Sequence, residues 1–103
     1  MDLTLKTGKL GTRVVELRKA LFRDRNAYTD YLASQVLYKH YIKKYPMLKK
    51  PVRPFTMKDL HVRQVELNKL RRRLGLGTVD VISDIRAKKR EILARHTAEE
   101  AAQ

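Results

Sequence analysis

Between residues 12 and 45, apolar side chains recur at steps that sum to three or four. They are Val14, Leu17, Leu21, Tyr28, Tyr31, Tyr38, Ile42 and Tyr45, with Val15, Phe22, Leu32 and Val36 widening the stripe. That period predicts one long amphipathic α-helix over 12–45 with a single buried face. Thr12 is the expected N-cap, because its hydroxyl can accept from an orphan amide in the first turn. Pro46 is the expected stop, since the residue before a proline is pushed out of the α region. The apolar pattern lapses at Arg23-Asp24-Arg25-Asn26, and the helix is expected to run on through it with at most a bend.

Pro46, Pro51 and Pro54 then make residues 46–55 an extended, polyproline-like connector. Thr56 with Asp59 three residues on forms a weak capping box for a second helix over 57–74. Leu60, Leu67, Leu70 and Leu74 supply its buried side, broadened by Val62 and Val65. Gly75 falls where a left-handed residue closes a helix. After the turn at Leu76-Gly77, Thr78 or Asp80 opens a third helix over 79–97. Its apolar stripe is Val81, Ile82, Ile85, Ile92 and Leu93, and it is expected to fray after His96. A connection this short makes the last two helices an antiparallel hairpin. The predicted fold class is therefore all-α: a long N-terminal amphipathic helix packed on a C-terminal helical hairpin. An extended basic arm, residues 1–11, precedes a single small domain, residues 12–103.

Charge changes the picture more than composition does. The chain carries a net +13 in 103 residues. No Asp or Glu occurs from Tyr31 to Lys58, a stretch that holds Lys39, Lys43, Lys44, Lys49, Lys50, Arg53 and Lys58. Such a field repels itself in a free monomer, so a polyanionic partner or a large assembly is expected. The absence of Cys removes disulfides, thiolate metal sites and thiol nucleophiles, and fits a reducing, intracellular compartment. No apolar run approaches the ~20 residues that span a bilayer. The segment from Met1 to Arg23 is rich in Lys and Arg and poor in acids, a composition shared by organelle transit segments and by basic domain tails. Asp2, Gly8 and Gly11 favour the tail. A mitochondrial matrix location is the favoured expectation.

Catalytic and ligand-binding signals are weak. His40, His61 and His96 are the only histidines; the first two have no His or carboxylate at helical spacing, and His96 has Glu99 and Glu100 only where the helix is expected to fray, so no metal is expected. Ser34 and Ser83 lie inside helical patterns without a nucleophile elbow. Asp80 and Asp84 share a face of the third helix, yet acids in first turns complement the helix dipole. Gly8-Lys9-Leu10-Gly11-Thr12 lacks the spacing of a phosphate-binding loop and follows no strand. No catalysis, cofactor or small-molecule substrate is expected.

The basic clusters carry more. Arg71-Arg72-Arg73 fans over roughly 200° of helix surface at about 100° per residue, so at most one of the three can find a carboxylate on the neighbouring helix. Lys88-Lys89-Arg90 repeats the arrangement on the third helix, towards the opposite end of the hairpin. With Lys6, Lys9 and Arg13 near the N-terminus and Lys39, Lys43, Lys44, Lys49, Lys50 and Arg53 around the connector, these are the candidate phosphate-binding residues. Tyr38, Ile42 and Tyr45 belong to the buried stripe, whereas Tyr41 falls off it and is the tyrosine available for stacking on a base or a partner side chain.

Leu37-Tyr38-Lys39 resembles the tripeptide of the mitochondrial LYR-type proteins, small basic three-helix subunits or assembly factors of respiratory complexes that bind acyl carrier protein. The resemblance covers three residues. In that family the tripeptide stands near the start of the first helix, whereas here it comes late and Pro46 follows soon after; no binding residues carry over. The expected role is a structural subunit of a ribonucleoprotein, a ribosome and in particular a mitochondrial one, with rRNA and neighbouring proteins as partners. The alternative is an accessory subunit or assembly factor of a respiratory-chain membrane complex, meeting acidic proteins or anionic lipid head groups.

Overall fold

The computed structural model describes residues 8–102, with side chains described for residues 8–97. It contains three α-helices: α1, Lys9–Tyr41; α2, Met57–Arg73; and α3, Val81–Ala102. The predicted all-α class is the observed one, and α1 packs on both members of the α2–α3 hairpin. At 33 residues α1 is about 50 Å long, and it sets the long dimension of a molecule measuring 56 × 26 × 23 Å.

Helix α1 is continuous through Asp24–Asn26, but it starts earlier than its pattern suggests. Gly8, at φ 62°, is the N-cap and offers no side-chain cap. Thr12 lies inside the first turn, where its Oγ1 donates to the Gly8 carbonyl at 3.2 Å. A threonine hydroxyl can bond back to the carbonyl four residues earlier as readily as cap, which is why Thr12 misleads. Residues 9–11, expected in the extended arm, are therefore helical; residues 1–7 lie outside the described part. At the other end the helix closes at Tyr41, and one further turn carries the chain to Tyr45, whose amide donates to the Tyr41 carbonyl at 2.8 Å.

The hairpin follows its sequence signals closely. The Thr56 hydroxyl accepts from the Asp59 amide while the Asp59 carboxylate accepts from the Thr56 amide, a complete capping box. At the C-terminus of α2, Gly75 has φ 74°. Its amide donates to Arg72 O, and the Leu76 amide donates to Arg71 O. This pair of bonds is a Schellman closure, which requires a left-handed residue that glycine supplies without strain. Asp80 then caps α3, accepting from the Ser83 amide at 3.1 Å and from its hydroxyl at 2.7 Å. Beyond His96, where fraying is expected, α3 continues to Ala102.

Two buried amides on α2 hold the hairpin turn. The Asn68 side chain pairs with both backbone groups of Val79, at 2.9 Å each. Gln64 Oε1 accepts from the Val81 and Ile82 amides, and Gln64 Nε2 donates to Asp80. Buried polar groups this well partnered avoid the desolvation penalty and fix register. On the same helix Leu60 and Leu67, with Val14, Leu21, Tyr28, Leu32, Val81, Ile82 and Ile85, form the core.

Helix α1 runs antiparallel to α2, with Arg13 beside Glu66 and Tyr28 against Phe55. It runs parallel to α3, with Arg25 beside Asp84 and His40 against His96. Because α2 begins at Met57, only seven residues before the Gln64 that touches the start of α3, α3 outruns it after about two turns. One half of the molecule is thus a three-helix bundle. In the other half α1 and α3 continue without α2, and the connector, not a helix, lies beside α1. Two expected core positions there, Tyr45 and Leu93, are consequently open, and Val62 and Val65, on the outer side of α2, are exposed as well.

Candidate functional site

The carboxylates are largely engaged inside the fold. Glu66 pairs with Arg13 at 2.7 Å, Asp24 with Arg63 at 2.7 Å and Asp84 with Arg25 at 3.2 Å. Glu91 accepts from Lys88 and Arg95 within α3. Asp59 and Asp80 are caps, and both titrate below the ordinary carboxylate range. For Asp59 the cause is first the hydrogen bond from the Thr56 amide, and for Asp80 the hydrogen bond from the Ser83 hydroxyl. Hydrogen bonds to the ionised form favour it. The exposed ion pairs add only about 0.2–1 kcal/mol each, so their main effect is to cancel acidic charge locally and leave most lysines and arginines uncompensated.

Two groups of those cations stand at opposite ends of the rod. At the three-helix end, Arg13, Lys69, Arg72 and Arg73 line an open depression between the start of α1 and the end of α2, with Glu66 and Leu70. An adjoining one is lined by Arg18, Lys19 and Arg71 with Val14, Val15 and Leu76. Lys9 is exposed at the first residue of α1. Arg71 differs from its two neighbours: it is half-buried, and its Nε donates to the Gly77 carbonyl at 2.6 Å. It fastens the hairpin turn, so the three arginines do not form one outward-facing unit. Arg72 and Arg73 are exposed, and make no ion pair among the described residues.

At the other end, Lys39 and Lys89 stand on opposite walls of a groove between α1 and α3. The groove has a volume of about 340 Å³ and an apolar lining of Leu32, Val36, Ile92 and Leu93, with Gln35 and His96. Lys49 borders a second groove, about 310 Å³, between α1 and the connector, with Tyr38, Tyr41, Leu37, Leu48, Ser34 and Pro51. Lys43, Lys44, Lys50, Arg53 and Arg90 are exposed, whereas Lys88 shares Glu91 with Arg95. The structure therefore joins Lys39 to Lys89 and Arg13 to Arg72 and Arg73, and keeps the arginine cluster apart from the Lys88–Arg90 cluster. Lys6 lies outside the described residues.

Sequence reasoning passes over Lys69, Arg18 and Lys19. Lys69 was legible, since it stands three and four residues before Arg72 and Arg73 on one helix face. Arg18 and Lys19 join Arg71 only through the packing of α1 on α2. The fold also gathers His40 and His96, with ring centroids 5.0 Å apart, while His61 is exposed on α2. Among the described residues, no three His, Cys, Asp or Glu side chains converge as a metal site would need, and no helix is long and apolar enough to cross a membrane.

Compared with known proteins, the chain matches no protein family, no curated relative and no solved structure. What can be said of its role rests on its own side chains.

Proposed function

We propose that this protein is a non-catalytic structural subunit of a ribonucleoprotein, a ribosome and in particular a mitochondrial one, in which its lysines and arginines contact rRNA phosphates. One observation carries the reading. Asp24, Asp59, Glu66, Asp80, Asp84 and Glu91 are each bound within the fold, while basic side chains remain unpaired at both ends of a rod with net charge +13. A partner that supplies many regularly spaced anions along an extended surface fits that distribution, and a nucleic-acid backbone is such a partner. The open, shallow shape of the arginine depressions suits phosphates better than an enclosed small molecule.

Co-sedimentation of the native protein tests the assignment. It is expected to travel with ribosomal particles and to leave them at raised salt. Migration with detergent-solubilised membrane complexes instead would identify the respiratory-chain alternative and refute the proposal.

A further inference from the structure

A chain of aromatic rings crosses the surface of the two-helix end. His96 of α3 packs against His40 of α1 with centroids 5.0 Å apart, His40 against Tyr41 at 4.6 Å, and Tyr41 near Tyr45 at 6.3 Å. The last two rings are exposed, Tyr41 at 42% and Tyr45 at 51%. Lys44 Nζ lies over the Tyr45 ring, 5.6 Å from its centroid, with Lys43 beside it in the same acid-free turn. We infer that Tyr41 and Tyr45 are stacking platforms for two successive unpaired bases, so that this end of the molecule binds single-stranded RNA. This rests on the ribonucleoprotein reading and narrows it.

Three features support the assignment. First, an exposed tyrosine gains most from a flat apolar partner that leaves its hydroxyl wet, and every nucleobase offers such a face. Second, the platforms are held in place. His40, itself packed on α3, backs Tyr41, and the turn that follows α1 is closed by the Tyr45 amide bonding to the Tyr41 carbonyl at 2.8 Å. Little freedom is then lost on binding. Third, the lysines adjoin the rings, where the phosphates of stacked nucleotides fall, and no Asp or Glu occurs between Tyr31 and Lys58 to repel them.

Ring geometry also specifies how the bases sit. A base sandwiched between two rings needs them parallel and separated by twice the ~3.4 Å rise of stacked bases, or ~6.8 Å. Here the centroids are 6.3 Å apart and the planes are inclined by 45°. The two rings cannot clasp one base, so each serves a different one. Duplex RNA keeps its bases stacked and its edges in the grooves, and gives these rings nothing to cover.

The test compares binding of the full-length protein to a fluorescent oligouridine and to an RNA duplex of matched length. Replacing both rings, Tyr41→Ala with Tyr45→Ala, is expected to weaken oligouridine binding about tenfold or more per ring while duplex binding and its salt dependence stay near the parent's. Tyr41→Phe with Tyr45→Phe, which preserves the faces and the helix end, is expected to retain oligouridine binding. Unchanged oligouridine affinity in the alanine variant, or equal weakening towards both RNAs, overturns the stacking assignment and leaves the ribonucleoprotein reading standing. Ring-dependent binding to phosphatidylserine vesicles in preference to oligouridine also overturns it, by marking the ladder as a membrane contact. Failure of the parent protein to bind either RNA removes the reading on which the inference rests.

Discussion

The two halves of this rod use similar residues to different ends. Where α1, α2 and α3 run together, Val14, Leu21, Leu60, Leu67, Val81 and Ile85 are almost completely buried, and Asp24, Glu66 and Asp84 each pair with an arginine from another helix. Beyond the start of α2, α1 has α3 and the connector beside it. There Leu37, Tyr41, Tyr45, Met47, Leu48, Val52 and Leu93 remain exposed, and among the described side chains Glu91 is the acid that this part of α3 carries. The difference is geometric. A helix needs neighbours on two sides to bury a stripe as wide as that of α1, and a proline-containing extended segment covers less of it than α2 does. The three-helix half holds the fold, and the two-helix half leaves apolar side chains exposed beside its lysines.

Core truncation tests that division most severely. Leu60→Ala or Leu67→Ala is expected to cost about 2–5 kcal/mol, enough to abolish cooperative unfolding in a domain whose whole stability is on the order of 5 kcal/mol. Leu93→Ala, at the other end, is expected to change stability by less than about 1 kcal/mol. Urea titration followed by circular dichroism measures both, and comparable losses would erase the distinction between the halves.

A smaller effect sharpens what holds the three-helix half together. Gln64→Ala leaves the Val81 and Ile82 amides without their acceptor, and Asn68→Ala strips both backbone groups of Val79. Each is expected to cost about 1–3 kcal/mol, and to increase amide hydrogen exchange in the 74–82 segment before exchange elsewhere rises. Uniform loss of protection across α1 and α2 would mean that these amides do not act locally on the turn.

The smallest effect concerns acid. The folded forms of Asp59 and Asp80 hold their protons less tightly than the unfolded chain, whose carboxylates titrate near 3.8. Their stabilising contribution is therefore present above that value and is lost as pH falls through the lower folded values. Asp59→Asn combined with Asp80→Asn keeps cap geometry and is expected to flatten the acid limb of the stability curve while changing little between pH 6 and 8. An acid limb as steep as the parent's would place the titrating groups elsewhere.

Much of the fold was legible because its signals are local. The Thr56–Asp59 box, Gly75 and Asp80 each act within a few residues; the first two are where the sequence puts them, and Asp80 is one of the two starts, with Thr78, that it offers for the third helix. What was not legible depends on what packs against what. The apolar repeat counts Tyr45, Val62, Val65 and Leu93 as core because periodicity says which residues share a face but not whether a neighbour reaches that face. Gln64 and Asn68 follow Leu60 at i+4 and i+8 and lie on the buried face, yet as polar residues they escape an apolar count. At the candidate site, Lys39 and Lys89 become neighbours only through the parallel pairing of α1 and α3. Arg71 looks like its two companions until the turn brings the Gly77 carbonyl to it.

The salt dependence of binding to structured RNA tests the central claim most directly, because it counts phosphates contacted without presuming which RNA is native. The parent protein is expected to lose affinity steeply from low to moderate salt, with a log–log slope near −0.7 to −0.9 per phosphate contacted. Arg72→Glu with Arg73→Glu, which spares the Arg71 tie to the turn, is expected to make that slope shallower by about two phosphates without unfolding the hairpin. A flat salt response of the parent protein, or no binding even at low salt, would contradict the account.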